Sequence, residues 1–350
     1  IRPEILEGVR AANSAAELYP YLQGAIELEH ATIPAYLTAL YSLKPGTNNA
    51  VAGIIRSVVV QEMLHLTIAC NVLNALGGQP VLNRADFVPK YPGPLPIGVE
   101  ADLVVPLAPL DASLIENVFM RIERPNEPKD YKVKATADRI SAGYPTISAF
   151  YEAIIERIKT LGDGAFAKPS NPQMLDNTWF PASELFEVTD VASATAALEI
   201  IIEQGEGLGT SPMDDQGVPA HYYRFAEILK GRRLVVDPSA PEGYSYSGDP
   251  IAFDTTSVYD LTTNSRLADY RPNSLAWMGV RQADYTYTTL LNALHETFNG
   301  KPANLKNAIA LMYELRLVVV EKVLTQKVTT GPNAGKIAAP SFAFTPSLAD

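Results

Sequence analysis

Val58-Val59-Val60-Gln61-Glu62-Met63-Leu64-His65-Leu66-Thr67-Ile68-Ala69 is an apolar run interrupted by one carboxylate and one imidazole. Glu62 and His65 are three residues apart, so on a helix they share a side and can reach one ion. A buried carboxylate without a partner is costly even after relaxation. It is tolerated where the charge is paired or ligates a metal. A Glu-x-x-His pair, with glutamates from neighbouring helices, is the di-iron or di-manganese arrangement of four-helix bundles. The spacing alone is common, so its weight depends on whether other helices supply matching carboxylates.

The surrounding pattern predicts a helix over 48–76, closed by Gly77-Gly78 and Pro80. Upstream, Leu18, Leu22, Ile26, Ile33, Leu37 and Leu40 recur at helical spacing and predict a helix over 15–43. Pro34 should kink it, and Gly46 ends it. The short connection predicts antiparallel packing of the pair. Glu29 and Tyr36 are seven apart, nearly two full turns, and share a face. A third helix over 146–161 offers Glu152 and Glu156, and a fourth over 189–207 offers Glu199, Glu203 and Glu206. Glu203 directly follows Ile200-Ile201-Ile202, which predicts burial. Four glutamates against two ferrous ions leave a neutral site, as a low-dielectric interior requires. Glu27, Glu156 and Glu199 read as solvated. His30, about 100° around the helix from Glu29, reads as lying outside the ligand set, and His295 as a structural or surface histidine.

Between these helices, seven prolines over 79–110 predict an irregular excursion with one hairpin. A short helix is expected over 111–123, then a polar loop over 124–143. Further helices are expected over 220–230, 276–298 and 302–326, with a breaker-rich stretch over 232–272 and an extended tail after Thr329. This divides the chain into a metal-binding bundle, 1–231, with an insertion at 79–143. Residues 232–350 then form an irregular segment and a helical hairpin packed on the bundle. Phe119, Met120, Tyr144, Trp179 and Phe180 are candidates to line a pocket for a flat ring, though each serves equally as core.

The 350 residues are 47% hydrophobic, enough for a packed core, and carry a net charge of −11. That charge argues against nucleic acid as a partner. No run of 18 apolar residues predicts a membrane span. Cys70 is the single cysteine, which excludes an internal disulfide and suits a cytoplasmic location. The chain starts at Ile1, so a preceding targeting segment stays open. No Gly-x-Ser-x-Gly elbow supports a serine hydrolase.

Glu29 to Tyr36, Glu62-Met63-Leu64-His65 and Gly77-Gly78-Gln79-Pro80 together resemble the first half of a bacterioferritin-type bundle. More narrowly, Ile26-Glu27-Leu28-Glu29-His30-Ala31-Thr32-Ile33-Pro34-Ala35-Tyr36-Leu37 resembles the ferritin-like domain of the iminophenyl-pyruvate dimer synthase family. So do Ile202-Glu203-Gln204-Gly205-Glu206-Gly207, His221-Tyr222-Tyr223-Arg224-Phe225, and the C-terminal Leu294-His295, Phe298-Asn299-Gly300 and Leu311-Met312-Tyr313-Glu314-Leu315. The likeness covers most of the chain. It implies an all-α, ferritin-like four-helix bundle with long loop insertions and additional C-terminal helices. It also implies an oxidative metalloenzyme of secondary metabolism, since the family includes the imine-coupling enzymes of violacein-type and bisindole pathways, which join two arylpyruvate imines.

One departure stands out. The fourth helix of such a bundle supplies a second Glu-x-x-His, and here Glu203-Gln204-Gly205-Glu206 has glutamate in place of histidine. On a continuous helix His221 would lie roughly 27 Å beyond Glu203. Gly205, Gly207, Gly209, Pro212, Gly217 and Pro219 break the helix and allow the chain to fold back. The expected ligands are therefore Glu29, Glu62, His65, Glu152, Glu203 and His221, with Glu206 in reserve. The cofactor is two iron ions, with manganese as the alternative, and Tyr36 is the catalytic candidate.

Three functions compete. The first is a di-metal oxidase of a small aromatic amine- or imine-bearing metabolite, using dioxygen or peroxide. The second is an iron-binding ferroxidase or store, against which the extra residues weigh. The third is a non-catalytic binding domain, discriminated by metal content. A homo-oligomer is compatible with all three.

Overall fold

The computed structural model describes residues 1–131, 146–209 and 211–346. A short helix α1 (Pro3–Ala11) leads into two long ones, α2 (Ala15–Ser42) and α3 (Asn49–Ala75). These two pack side by side along their length. Glu17 fixes the start of α2 by accepting from the Asn13 amide at 3.0 Å and the Ser14 hydroxyl at 3.2 Å. The helix runs unbroken through Pro20 and Pro34. At the end of α3, Gly77 takes φ +94°, and an added Cβ would meet the Lys168 carbonyl at 2.8 Å. The glycine therefore serves both the left-handed turn and the close approach.

The helix α4 spans 112–122 and contains a π turn, Ile115–Phe119. Then come α5 (Ile147–Leu161), α6 (Val191–Glu206) and α7 (His221–Lys230). Thr146 caps α5 through the Ala149 amide at 3.3 Å, and Asp190 with Ser193 forms a capping box on α6. One pair, α5 and α6, packs together, and α6 rests on α3. A second pair, α4 and α7, packs together, and α7 also rests on α3. The flank of α2 and α3 is thus covered by two helix pairs, and Glu123, Ser148, Glu206 and His221 stand at their adjoining ends.

The C-terminal helices α8 (Leu275–Phe298) and α9 (305–323, closing on the π turn Val319–Val323) form a hairpin. It is tied to the bundle by Asn74, which donates to the Phe298 carbonyl at 2.8 Å, and by Asn299, which donates to the Pro80 carbonyl at 2.8 Å. Among the described residues, most buried apolar side chains from Ile1 to Phe342 make one large core, and Tyr131, Met213, Tyr223, Leu234 and Tyr246 belong to a separate smaller cluster. A two-stranded antiparallel ribbon, β1 (Val235–Val236) with β2 (Tyr244–Ser245), lies in the irregular stretch before the hairpin.

Each expected helix is present, and α1 (Pro3–Ala11) is a further helix that the sequence reading did not expect. The hairpin expected within 79–110 is reduced to a single antiparallel bridge, Gly93 with Val105. Of the polar loop expected over 124–143, residues 132–143 lie outside the described residues, as does Tyr144. The expectation of no membrane span needs a finer statement. By length and composition α3 passes such a test, with a mean hydropathy of 1.4, but 61% of that window is buried within the protein. Its apolarity goes into the bundle core, where it surrounds Glu62 and His65.

Candidate metal centre

Five ionisable side chains converge in the core: Glu29 from α2, Glu62 and His65 from α3, Glu123 at the end of α4, and His221 at the start of α7. Their exposures are 4, 2, 2, 5 and 0%. They form two trios. Glu29, Glu62 and His65 have ligand atoms within 4.8 Å of one another, and so do Glu62, Glu123 and His221. Glu62 belongs to both.

The two imidazoles are held in the same way. His65 Nε2 is 3.0 Å from the Gln204 amide oxygen, and His221 Nε2 is 3.0 Å from the Gln61 amide oxygen. An amide oxygen only accepts, so each Nε2 carries a proton, which in the neutral ring leaves the lone pair on Nδ1. His65 Nδ1 lies 3.5 Å from Glu29 Oε2 and 3.9 Å from Glu62 Oε1. His221 Nδ1 lies 3.0 Å from Glu62 Oε1 and 3.4 Å from Glu123 Oε2, without a hydrogen-bond partner. Lone pairs facing carboxylate oxygens at these distances repel unless a proton on the carboxyl or a cation lies between them. The rings stack with centroids 5.4 Å apart, so the two trios adjoin.

Neighbouring groups orient the carboxylates. Thr32 donates to Glu62 Oε2 at 2.8 Å. Tyr151 donates to Glu29 Oε1 at 2.5 Å, and Tyr36 donates to Glu123 Oε1. Burial, and then the charges of Glu123 and Glu29, push the Glu62 carboxyl well above its usual range. Burial first, then the adjacent carboxylate, raises both phenols, Tyr36 beside Glu123 and Tyr151 beside Glu29. Both remain neutral donors. The donor set of three carboxylates and two imidazole nitrogens fits iron or manganese, and the outer hydrogen bonds are of the kind that fix metal-ligating histidines.

The sequence-expected residues divide. Glu29, Glu62, His65 and His221 come together, and Tyr36 reaches the cluster through Glu123. Glu152 and Glu203 do not. The buried face of α5 is Phe150, Tyr151, Ile154, Ile155 and Ile158. It presents Tyr151 to Glu29 and leaves Glu152 exposed, one residue around the helix. On α6 the buried stripe is Ala194, Ala197, Leu198, Ile201 and Gln204. Gln204 therefore reaches His65, and Glu203 is only half-buried. Ile200 and Ile202 are also only half-buried, so the triple isoleucine marks the edge of the stripe.

Glu206 is buried and lines the cavity that Glu29, Glu62, His65 and Glu123 also line, yet stands outside both trios. Its Oε1 accepts from the Ser148 amide at 2.9 Å, and burial pushes its carboxyl up to about 7. Glu123 is the residue that sequence reasoning missed. The signal was its place four residues after Phe119, on the buried face of a short helix that was read as part of an insertion.

A ferritin-like family model matches residues 22–230. That span holds every member of the cluster. Among solved structures, the chain is similar to a ferritin-like protein from Caulobacter vibrioides, at 26% identity and a TM-score of 0.57, covering 87% of this chain and 93% of that one. No curated protein matches.

Proposed function

Because the chain belongs to the ferritin-like family, we propose that Glu29, Glu62, His65, Glu123 and His221 hold two redox-active metal ions, iron with manganese as the alternative, and that the protein is an oxidase. The observation that carries this reading is the pair of Nδ1 lone pairs aimed at carboxylates, with Glu62 common to both trios. Two such ions would supply the electrons for reduction of dioxygen.

The chain's own residues set the conditions for that chemistry. Gln61 and Gln204 hold the imidazoles in the ligating tautomer. Tyr36 and Tyr151 donate to the terminal carboxylates and place redox-capable phenols against the site. Leu28, Ile147 and Ile201 wall the cavity and limit water. The substrate class comes from the resemblance to the iminophenyl-pyruvate dimer synthase family: a small aromatic amine- or imine-bearing metabolite, with oxidative coupling of arylpyruvate imines as the specific form.

A second reading, an iron-oxidising protein, draws on the size of the inner cavity. The cavity at the cluster has a volume of about 20 Å³. That is room for one water-sized molecule and too little for an aromatic ring. On the oxidase reading, a ring stays outside this inner cavity while dioxygen enters it.

The test supplies the iron-loaded protein with arylpyruvate imines generated in place by an amino-acid oxidase. Oxygen uptake and products are compared with Glu62→Ala. Metal-dependent product from an indole, phenyl or hydroxyphenyl substrate supports the oxidase. Iron oxidation without organic product moves the reading to the ferroxidase, and absence of bound metal moves it to a binding domain.

A further inference from the structure

The two trios stand on unequal supports. Glu29, Glu62 and His65 belong to the long helices α2 and α3, which pack along their length. The other trio takes two of its members from short elements. Glu123 follows the last residue of α4, and His221 is the first residue of α7, a helix of 10 residues. A first helical residue is the one most readily lost to fraying. The usual restraint is missing here, because the N-cap position is Ala220, which offers no side-chain cap.

What holds that end is a pair of rungs to α3. His221 Nε2 lies 3.0 Å from Gln61 Oε1, and Arg224 Nη1 donates to Ser57 Oγ at 3.0 Å. Ser57 and Gln61 are four apart on α3, and His221 and Arg224 are three apart on α7, so the rungs are about one turn apart on both helices. One rung leaves α7 free to swivel about it, whereas two fix rotation and translation together. The Ser57 hydroxyl donates to the Ile54 carbonyl at 2.7 Å, which leaves its lone pairs to the guanidinium. Arg224 Nε reaches back to the Pro219 carbonyl at 2.5 Å. One planar group therefore joins α3 to the backbone that enters α7. Packing alone does not account for this residue. Arg224 is only 4% exposed, and its Nη2 has no hydrogen-bond partner among the described residues. A buried cation with unpaired N–H groups is costly, and an apolar side chain of similar length would fill the space without that cost.

We propose that Arg224 is the positioning residue of the second metal position: by tying the first turn of α7 to Ser57 and Pro219, it holds His221 Nδ1 against Glu62 and Glu123. The inference rests on the metal-centre reading above. It makes the two positions unequal. The position at Glu29, Glu62 and His65 is set by α2 and α3 without Arg224. The position at Glu62, Glu123 and His221 depends on a residue that hydrogen-bonds to none of the five ligands among the described residues. Charge and position act with opposite signs here. Removing a cation near bound metal ions would by charge alone tighten their binding, so a weakened second position reads out placement of His221.

The experiment is calorimetric titration of the metal-stripped protein with Co(II), read together with the ligand-field absorption of the bound ion and the helical circular dichroism. Wild type should bind two ions. Arg224→Met should bind the first as wild type does and the second about 10- to 100-fold more weakly, the size of effect expected for a group that orients a metal-ligating histidine. Ser57→Ala leaves the arginine in place, removes only the rung, and should weaken the same second step. In the Arg224→Met background it should add nothing, as for two residues that act through one contact. Arg224→Lys keeps the cation but reaches one acceptor at a time, so it should recover only part of the loss. A second step as tight as in wild type, or tighter, in either Arg224 variant overturns the proposal. Equal weakening of both steps makes Arg224 a support of the whole bundle and also overturns it, as does full additivity of Ser57→Ala and Arg224→Met. Should Arg224→Met lose its helical spectrum, Ser57→Ala and Arg224→Lys make the same comparison. A wild type that binds one Co(II) or none would instead remove the metal-centre reading on which the inference rests.

Discussion

Replacing Glu62 by glutamine should strengthen the metal-free fold while abolishing metal binding. In the metal-free protein Glu62 is buried beside two other carboxylates and faces the Nδ1 lone pair of His221 at 3.0 Å. Glutamine has no ionisation to suppress, lets a side-chain N–H donate to that Nδ1, and keeps an oxygen for the Thr32 hydroxyl, now 2.8 Å away. Removal of poorly compensated buried charge stabilises by about 1–4 kcal/mol. At roughly 2.1 cal/mol/K of unfolding entropy per residue, each kcal/mol moves the midpoint of a chain this size by about 1.4 °C. The chelator-treated variant should therefore melt about 1–6 °C above chelator-treated wild type. The sign follows from the raised carboxyl. Its stabilising protonated form is complete below the unfolded value, and the penalty grows as pH rises toward the folded one. With free metal about a hundredfold above Kd, wild type should gain about 2.7 kcal/mol, roughly 4 °C, and the variant nothing. Scanning calorimetry with and without metal gives all four midpoints. A metal-free variant melting below metal-free wild type, or one still shifted by metal, would refute the reasoning.

Two further predictions use other contacts. Gln204→Leu and Gln61→Leu remove the acceptors of His65 Nε2 and His221 Nε2. Each should weaken metal binding by about 10- to 100-fold with an unchanged helical spectrum; wild-type affinity by calorimetric titration would show that these amides do not orient the ligands. Away from the site, Asp284 is buried and accepts from Ser341 Oγ at 2.5 Å and the Ala343 amide at 3.1 Å, which fastens the C-terminal segment to α8. Burial pushes its carboxyl up to about 7. Its stabilising contribution is therefore complete below about pH 4 and lost as pH rises through about 7, up to roughly 4 kcal/mol at about 1.36 kcal/mol per unit. Thermal midpoints between pH 5 and 8 should fall less for Asp284→Asn than for wild type, and parallel slopes would count against the assignment.

The fold was legible because its signals are local. Helical periodicity, the Gly77-Gly78 stop and the breaker clusters all act within a few residues, and the helices begin and end close to where those signals put them. The half of the site on α2 and α3 was legible for the same reason, since carboxylates inside an apolar run are visible in sequence. Elsewhere the site depends on which face of each helix turns inward, and that is decided by packing. Tyr151 and Gln204 point in where Glu152 and Glu203 were expected, a rotation of one residue in each helix. Glu123 was hidden because it closes a short helix containing a π turn, far in sequence from its partners. His221 was found by asking which histidine could replace the one missing at Glu206. The break in the helix made that answer physically possible.

The central claim is that two metal positions share Glu62, and anaerobic titration with ferrous iron, read by calorimetry and metal analysis after desalting, tests it directly. Wild type should saturate at two ions per chain, while His221→Ala and Glu123→Ala should each retain one, held by Glu29, Glu62 and His65. Saturation of wild type at one ion or none, or two ions retained in both variants, would contradict the account.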